Sequence, residues 1–236
     1  MATQVYFIRH GESKYNEWRR NSFFNCTCLC VCDPMIYDPA LSKKGQKQVE
    51  ALRRNVQSQQ DMSSKIQLVV TSPLSRAIDT CLGSFFPQDT GNIVATAETP
   101  VRSYGPRPLV CALPRERLHK SGDVGISMSA LQEKYPDQLD LSDLATHLHP
   151  EQWWYDETDL PQGGARAIRP ETLLKTQKRV ELFADWLRNR PETCIAVVCH
   201  SNFIKTFTRM SRKLNNCEIK CWQIDGGGER VQAVNQ

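Results

Sequence analysis

Val5-Tyr6-Phe7-Ile8-Arg9-His10-Gly11-Glu12-Ser13 decides the fold class, because four apolar residues in unbroken succession run straight into a charged turn containing glycine. A strand with one wet face alternates. A continuous apolar run marks a strand covered on both faces, as in a largely parallel sheet. The same grammar recurs twice: Leu68-Val69-Val70 leads into Thr71-Ser72-Pro73-Leu74-Ser75-Arg76, and Cys194-Ile195-Ala196-Val197-Val198 leads, past Cys199, into His200-Ser201-Asn202. Helical spacing fills the intervals. Leu74, Ala77, Ile78, Cys81, Leu82 and Phe85 follow the second run, with Ser72-Pro73 read as an N-cap and a proline at the first helical position. Phe203, Ile204, Phe207 and Met210 follow the third, and Val49, Leu52 and Val56 mark a helix beginning near Ser42. Val180, Phe183, Ala184, Trp186 and Leu187 mark a longer helix closed by Arg190-Pro191. Strands alternating with helices specify an α/β fold, a three-layer sandwich whose mostly parallel, mixed sheet is flanked by helices. The alternation from Glu218 to Ile224 adds a half-exposed strand at a sheet edge.

The chain has 236 residues, 40% hydrophobic and 24% charged, which is ordinary globular usage and enough for one large core. The stretch from Pro100 to Pro170 holds eight of the 13 prolines and little periodicity, so it reads as a lid inserted into a single domain covering 1–236. No apolar run reaches the roughly 18 residues of a membrane span, and a net charge of +4 is too small and scattered for a nucleic-acid binder. Neither membrane nor nucleic acid is therefore an expected partner. Nothing in the pattern specifies an assembly. The N-terminus lacks the basic and apolar regions of a secretory signal, so the ten cysteines point to a reducing, cytoplasmic setting.

Each strand ends in chemistry. Ligands of open α/β sheets bind beyond the carboxyl ends of the strands, so Arg9, His10, Arg76 and His200 can converge despite their separation in sequence. Arg9 and His10 share a site only if the strand has ended between them, and Gly11 supplies the backbone freedom for that exit. Two guanidinium forks suit a phosphoryl group, and helix starts after Ser72 and Ser201 add backbone N–H donors. A neutral histidine in such a pocket can attack phosphorus in line, with the arginines disfavouring its cation and stabilising transition-state charge.

Arg9-His10-Gly11-Glu12-Ser13, Asn16, Leu41-Ser42-x-x-Gly45-x-x-Gln48, Ser72-Pro73-Leu74-Ser75-Arg76-Ala77 and His200-Ser201 together resemble the histidine phosphatase, or phosphoglycerate mutase-like, superfamily. The resemblance spans most of the chain outside the insertion. It implies a metal-independent phosphomonoester hydrolase with no cofactor, acting on a small phosphorylated metabolite. It implies His10 as the nucleophile that becomes phosphorylated, with Arg9, Arg76 and His200 completing the phosphate pocket and Asn16 contacting phosphate. The acid in Leu113-Pro114-Arg115-Glu116-Arg117-Leu118 matches the family's proton donor, which assigns that role to Glu116, with Asp123 as the alternative. Absence of an Asn-Arg-Phe-x-Gly-Trp block after Asn16, and of a Glu-Arg-His-Tyr-Gly block around the acid, sets the chain nearer the broad phosphatases than the glycolytic mutases. Mutase-type phosphoryl transfer and a phosphate-binding pseudoenzyme are the alternative readings.

Several features stand outside that pattern. Arg102, Arg107, Arg115, Arg117 and Lys120 offer a second anion site or simply solvated charge, and Trp153-Trp154 a stacking surface or a packing anchor. His119, His147 and His149 have no spacing that compels a metal site. Cys26, Cys28, Cys30 and Cys32 alternate; second neighbours on a straight strand lie about 6.5–7 Å apart, too far to chelate one ion. Their place between Asn16 and Leu41 suggests regulation of access by oxidation.

Overall fold

The three apolar runs become the middle of one sheet. The structure, a computed structural model, describes residues 2–24, 33–86, 105–155, 168–225 and 232–233. Its strands are β1 (Thr3–Arg9), β2 (Leu68–Thr71), β3 (Leu109–Val110), β4 (Cys194–Cys199), β5 (Ile219–Ile224) and β6 (Gln232–Ala233). They are ordered β3-β2-β4-β1-β5-β6, with β3, β2, β4 and β1 mutually parallel and β5 and β6 antiparallel to their neighbours. β4 pairs on both sides and is buried at every position, which explains why its sequence shows no alternation.

Helices α1 (Lys14–Phe24), α2 (Lys43–Ser58), α3 (Gln60–Lys65), α4 (Ser75–Phe85), α5 (Met128–Lys134), α6 (Ser142–Ala145), α7 (Leu173–Arg188) and α8 (Ser201–Thr208) complete the described chain. Successive residues of β1 point to opposite faces. Tyr6 and Ile8 pack with Leu52 and Val56 of α2 and Ala77 and Phe85 of α4, whereas Val5 and Phe7 pack with Phe183 of α7 and Phe203 and Phe207 of α8. Two apolar layers on one sheet make the three-layer sandwich that the sequence specifies.

Three differences from the sequence reading have physical causes. β5 is not an edge strand, since it pairs with β1 on one side and β6 on the other. Alternation reports which face is wet, and says nothing about lateral neighbours. The helix after β2 begins at Ser75 with Leu74 as its N-cap, two residues later than Ser72-Pro73 suggested. Finally, the proline-rich segment supplies β3, which pairs with β2 through Val70↔Leu109 and Thr71↔Val110. Two residues are too few to show a period. Around Trp153, which is fully buried and donates from its indole to the Ile126 carbonyl at 2.8 Å, this segment builds a third apolar cluster against Leu74 and Ile78. Trp153-Trp154 is thus a packing anchor. The alternating cysteines Cys26 to Cys32, and Arg102, lie outside the described residues.

Candidate active site

His10 is the first residue beyond β1, and its N–H still donates to the Cys199 carbonyl at the end of β4 (3.1 Å). His200 is the first residue beyond β4. Parallel pairing of these strands therefore brings the two imidazoles to 5.0 Å between ring centres, one on each side of the strand ends.

The turn carrying His10 is seated by the motif residues downstream. A Cβ on Gly45 would stand 2.0 Å from the Glu12 carbonyl oxygen, and one on Gly11 would stand 2.9 Å from the Gly45 carbonyl oxygen. Only glycine lets these backbones approach so closely. Ser42 caps α2 by accepting from Gly45 N–H (3.0 Å) and donates to the Glu12 carboxylate (2.9 Å). Gln48 accepts from Glu12 N–H (2.8 Å), Thr80 accepts from Gly11 N–H (3.0 Å), and the Asn216 amide donates to the His10 carbonyl (2.8 Å).

A carbonyl partner fixes the tautomer of His10. The Gly11 carbonyl, 2.6 Å from His10 Nδ1, can only accept, so Nδ1 carries the proton. Nε2 is then the bare nitrogen, and it accepts from Arg76 Nε (3.3 Å). His200 Nε2 meets the Ser72 hydroxyl (2.8 Å), which itself accepts from Leu74 N–H (3.4 Å). The Ser72 hydroxyl, with one proton and two lone pairs, serves either tautomer of His200, whose Nδ1 is buried and has no partner among the described residues. Ser72 thus orients a histidine and caps no helix.

Burial, then the charges of Arg76 and Arg9, hold the His10 pKa well below its ordinary value, and the same forces act on His200. The arginines expected to keep His10 neutral act second to burial. Arg76 is itself buried and spreads its fork: Nη1 to the Gly122 carbonyl (2.5 Å) and Nη2 to Asp123 (3.3 Å). Arg9 donates to the Leu214 carbonyl (2.7 Å), while its Nε is buried without a partner among the described residues. Two cations and two neutral imidazoles with unused donors form a site made for an oxyanion.

Glu116 is buried beside this group. Its carboxylate accepts from Arg117 N–H (2.9 Å) and, weakly, from Asn202 N–H (3.4 Å), and its charge is felt at Arg9, whose pKa burial lowers and Glu116 raises. Asp123 accepts from Arg76, His119 N–H and Lys120 N–H. Burial raises its pKa to about 6 against the pull of Arg76, and the charge of Glu116 pushes the same way. Asn16 is placed differently: its side chain accepts from the N–H and hydroxyl of Ser13 at the start of α1. The structure brings Arg9, His10, Arg76, His200 and Glu116 into one neighbourhood and gives Asn16 local bonds only.

Sequence reading missed Arg179. Its guanidinium grips Glu171 through Nε and Nη2 (3.0 and 2.7 Å), and Nη1 donates to the carbonyls of Leu113 and Arg115 (2.7 and 2.8 Å), just ahead of Glu116. A signal existed: Thr176, Arg179, Phe183 and Leu187 form the buried stripe of α7, and an arginine in such a stripe needs buried partners.

Comparison with known proteins agrees with the geometry. A family model for the histidine phosphatase superfamily (branch 1) matches residues 5–84. Phosphoglycerate mutase-like protein 1 of Arabidopsis thaliana is 27% identical over 235 aligned residues, covering 90% of this chain and 72% of that protein. Among solved structures, YhfR of Bacillus stearothermophilus superposes with a TM-score of 0.54 at 18% identity, covering 98% of this chain and 95% of that one. A mycobacterial glucosyl-3-phosphoglycerate phosphatase superposes with a TM-score of 0.50 at 20% identity, over 98% and 97% of the two chains. At these identities the structures report the shared fold.

Proposed function

We propose that the chain, whose residues 5–84 match the histidine phosphatase superfamily model, hydrolyses small phosphomonoesters through a phosphohistidine formed on His10. The observation that carries this reading is the protonation pattern: His10 is buried and neutral, with its proton on Nδ1 and a bare Nε2 beside Arg76. Nε2 attacks phosphorus in line, the P–N bond forms, and the P–O bond to the leaving group breaks as Glu116 protonates the departing oxygen. Arg9, Arg76 and His200 stabilise charge on the remaining oxygens. Glu116, now a carboxylate, takes a proton from water as that water attacks phosphorus; the P–N bond breaks, and phosphate leaves.

Glu116 is the acid in this reading, and Asp123 the brace of Arg76. All three described bonds to Asp123 anchor it to Arg76 or to its own turn, whereas Glu116 keeps one oxygen on a single long bond to Asn202. A small phosphorylated metabolite as substrate, with neither metal nor cofactor in the chemistry, completes the proposal.

The test is His10→Ala assayed on an aryl phosphate with EDTA present, together with a search for an acid-labile phosphoryl-enzyme in the unmodified protein. Expected are loss of phosphate release and a label that His10→Ala abolishes. Undiminished hydrolysis by the variant overturns the reading. Isomerisation of 3-phosphoglycerate without phosphate release would replace hydrolysis by mutase-type transfer on the same histidine.

A further inference from the structure

Between them, α7 and α8 enclose a groove of about 830 Å³. Its walls are two regular helical stripes. Leu173, Gln177, Val180, Ala184 and Arg188 face it from α7, and Asn202, Lys205, Thr206 and Arg209 from α8 and its C-cap. Spacings of three and four keep each set on one face of its helix. The α7 stripe runs the whole 16-residue helix, about 22 Å at 1.5 Å per residue. The groove is therefore long, and a compact metabolite would fill only one end.

Its chemistry is two-sided. Val180, Ala184 and Met210 line it as apolar, partly buried surface, and Leu173 at its mouth is 54% exposed. Around them stand Arg117, Arg188, Lys205, Arg209 and Lys213, against one lining carboxylate, Glu181. Arg188 is paired with Asp185, while Arg117, Lys205, Arg209 and Lys213 have no ion-pair partner among the described residues. Such a cluster contrasts with a chain in which 30 basic and 26 acidic residues nearly balance. Arg209 adds a second indication. It holds φ at +57°, a conformation in which glycine is ordinary and arginine is strained, so its charge is kept at the groove against a local backbone cost.

We infer that this groove docks an acidic amphipathic segment of a partner protein, its apolar side on Val180 and Ala184 and its carboxylates on Lys205, Arg209, Lys213 and Arg117. Length, apolar floor and basic rim match the helix-in-groove mode of peptide recognition. Nucleic acid, the other extended polyanion, is disfavoured because no exposed aromatic ring among the described residues lines the groove for bases to stack on; Phe207 is buried. The far end of the groove also touches the catalytic group. Arg117 follows Glu116 directly, and Asn202 donates to the Glu116 carboxylate. A segment seated there would bear on the placement of the acid. Docking itself does not depend on the phosphatase reading.

The test uses the full chain, ¹⁵N-labelled, titrated with a helical peptide of about 16 residues that presents leucine at i, i+3, i+4 and i+7 and glutamate elsewhere. Controls are a scrambled peptide of the same composition and a single-stranded oligothymidylate. Expected are saturable shifts confined to α7, α8 and the groove residues Arg117, Arg209, Met210 and Lys213, binding about tenfold weaker for the scrambled peptide, and a further loss at high salt. The paired variant Lys205→Glu/Arg209→Glu should lose binding about tenfold or more with an unchanged circular dichroism spectrum. Arg209→Gly separates ligand binding from a structural role: it should weaken binding while the Tm holds or rises, because glycine relieves the strained φ. Equal binding of the scrambled peptide, tighter binding of the oligothymidylate, shifts outside the groove or no saturable binding each overturns the inference.

Discussion

The turn after β1 and the stretch from Leu113 to Val124 both carry proposed reacting groups, yet they are held by opposite means. Mainly neutral contacts seat the His10 turn: glycine backbones in direct contact, the Gln48 and Asn216 amides, and the Thr80 hydroxyl, with the exposed Arg20 and Lys44 reaching only the Glu12 carboxylate. The acid-bearing stretch is held by two buried arginines, with Arg179 gripping Glu171 and two carbonyls on one side and Arg76 gripping Gly122 and Asp123 on the other. The nucleophile thus sits in a rigid, close-packed frame. The acid hangs on charged struts that depend on orientation and on protonation.

Substitution should separate the two frames, and the largest effect belongs to the strut. Arg179→Met leaves the buried Glu171 with only the longer contact to Arg115 (4.0 Å) as an ion pair and frees the carbonyls before Glu116, so urea unfolding should show a loss of about 3 kcal/mol. Arg179→Lys should recover little of it, because a single ammonium cannot reproduce the fork. If lysine restores stability, charge and not geometry holds the acid. Next comes Gly45→Ala, whose methyl would meet the Glu12 carbonyl and force the His10 turn to shift, at about 1–3 kcal/mol. Its loss of kcat on an aryl phosphate should exceed its change in KM.

Acid should distinguish the frames by the window in which each fails. His10 and His200 have depressed pKa values, so the unfolded chain binds more protons than the folded one below about pH 6.5. Stability is present above that pH and declines as pH falls, by up to about 1.4 kcal/mol per unit for each histidine. Burial raises the Glu171 pKa, but the bonds and charge of Arg179 outweigh it and the net shift is downward, so that strut weakens only below the ordinary range of a glutamate. Urea midpoints from pH 8 to 4 should therefore fall first with the histidines, with Asp123, whose raised pKa of about 6 favours the folded state as acid is added, offsetting part of the fall below that pH, and no fall between 7 and 6 would break the comparison. The smallest expected effect is Gln48→Leu, about 1 kcal/mol from the orphaned Glu12 N–H and insensitive to salt.

Much of the site was legible because its residues lie at strand ends, and strand ends are marked by local pattern. Arg9, His10, Arg76 and His200 could be assembled from three apolar runs and one rule about where ligands bind. Asn16 accepts at Oδ1 from Ser13 in its own turn, as polar side chains at helix starts do, and its amide N–H2 keeps the phosphate contact that the motif assigns as an expectation. Arg179 bears no strand-end mark, because its partners come from Leu113, Arg115 and Glu171, brought together only by packing of α7.

The sequence by itself determined which runs are buried strands, where the main helices lie, and that two histidines and two arginines stand beyond the strands. These follow from periodicity and turn chemistry, which act over a few residues. Only the tertiary structure decided that Ser72 orients His200, that β5 is an interior strand, that β3 joins the sheet, and that burial comes before arginine charge in keeping His10 neutral. The reason is physical: a polar atom's partner and a side chain's desolvation are set by groups distant in sequence, and no local pattern encodes them until the chain has closed around them.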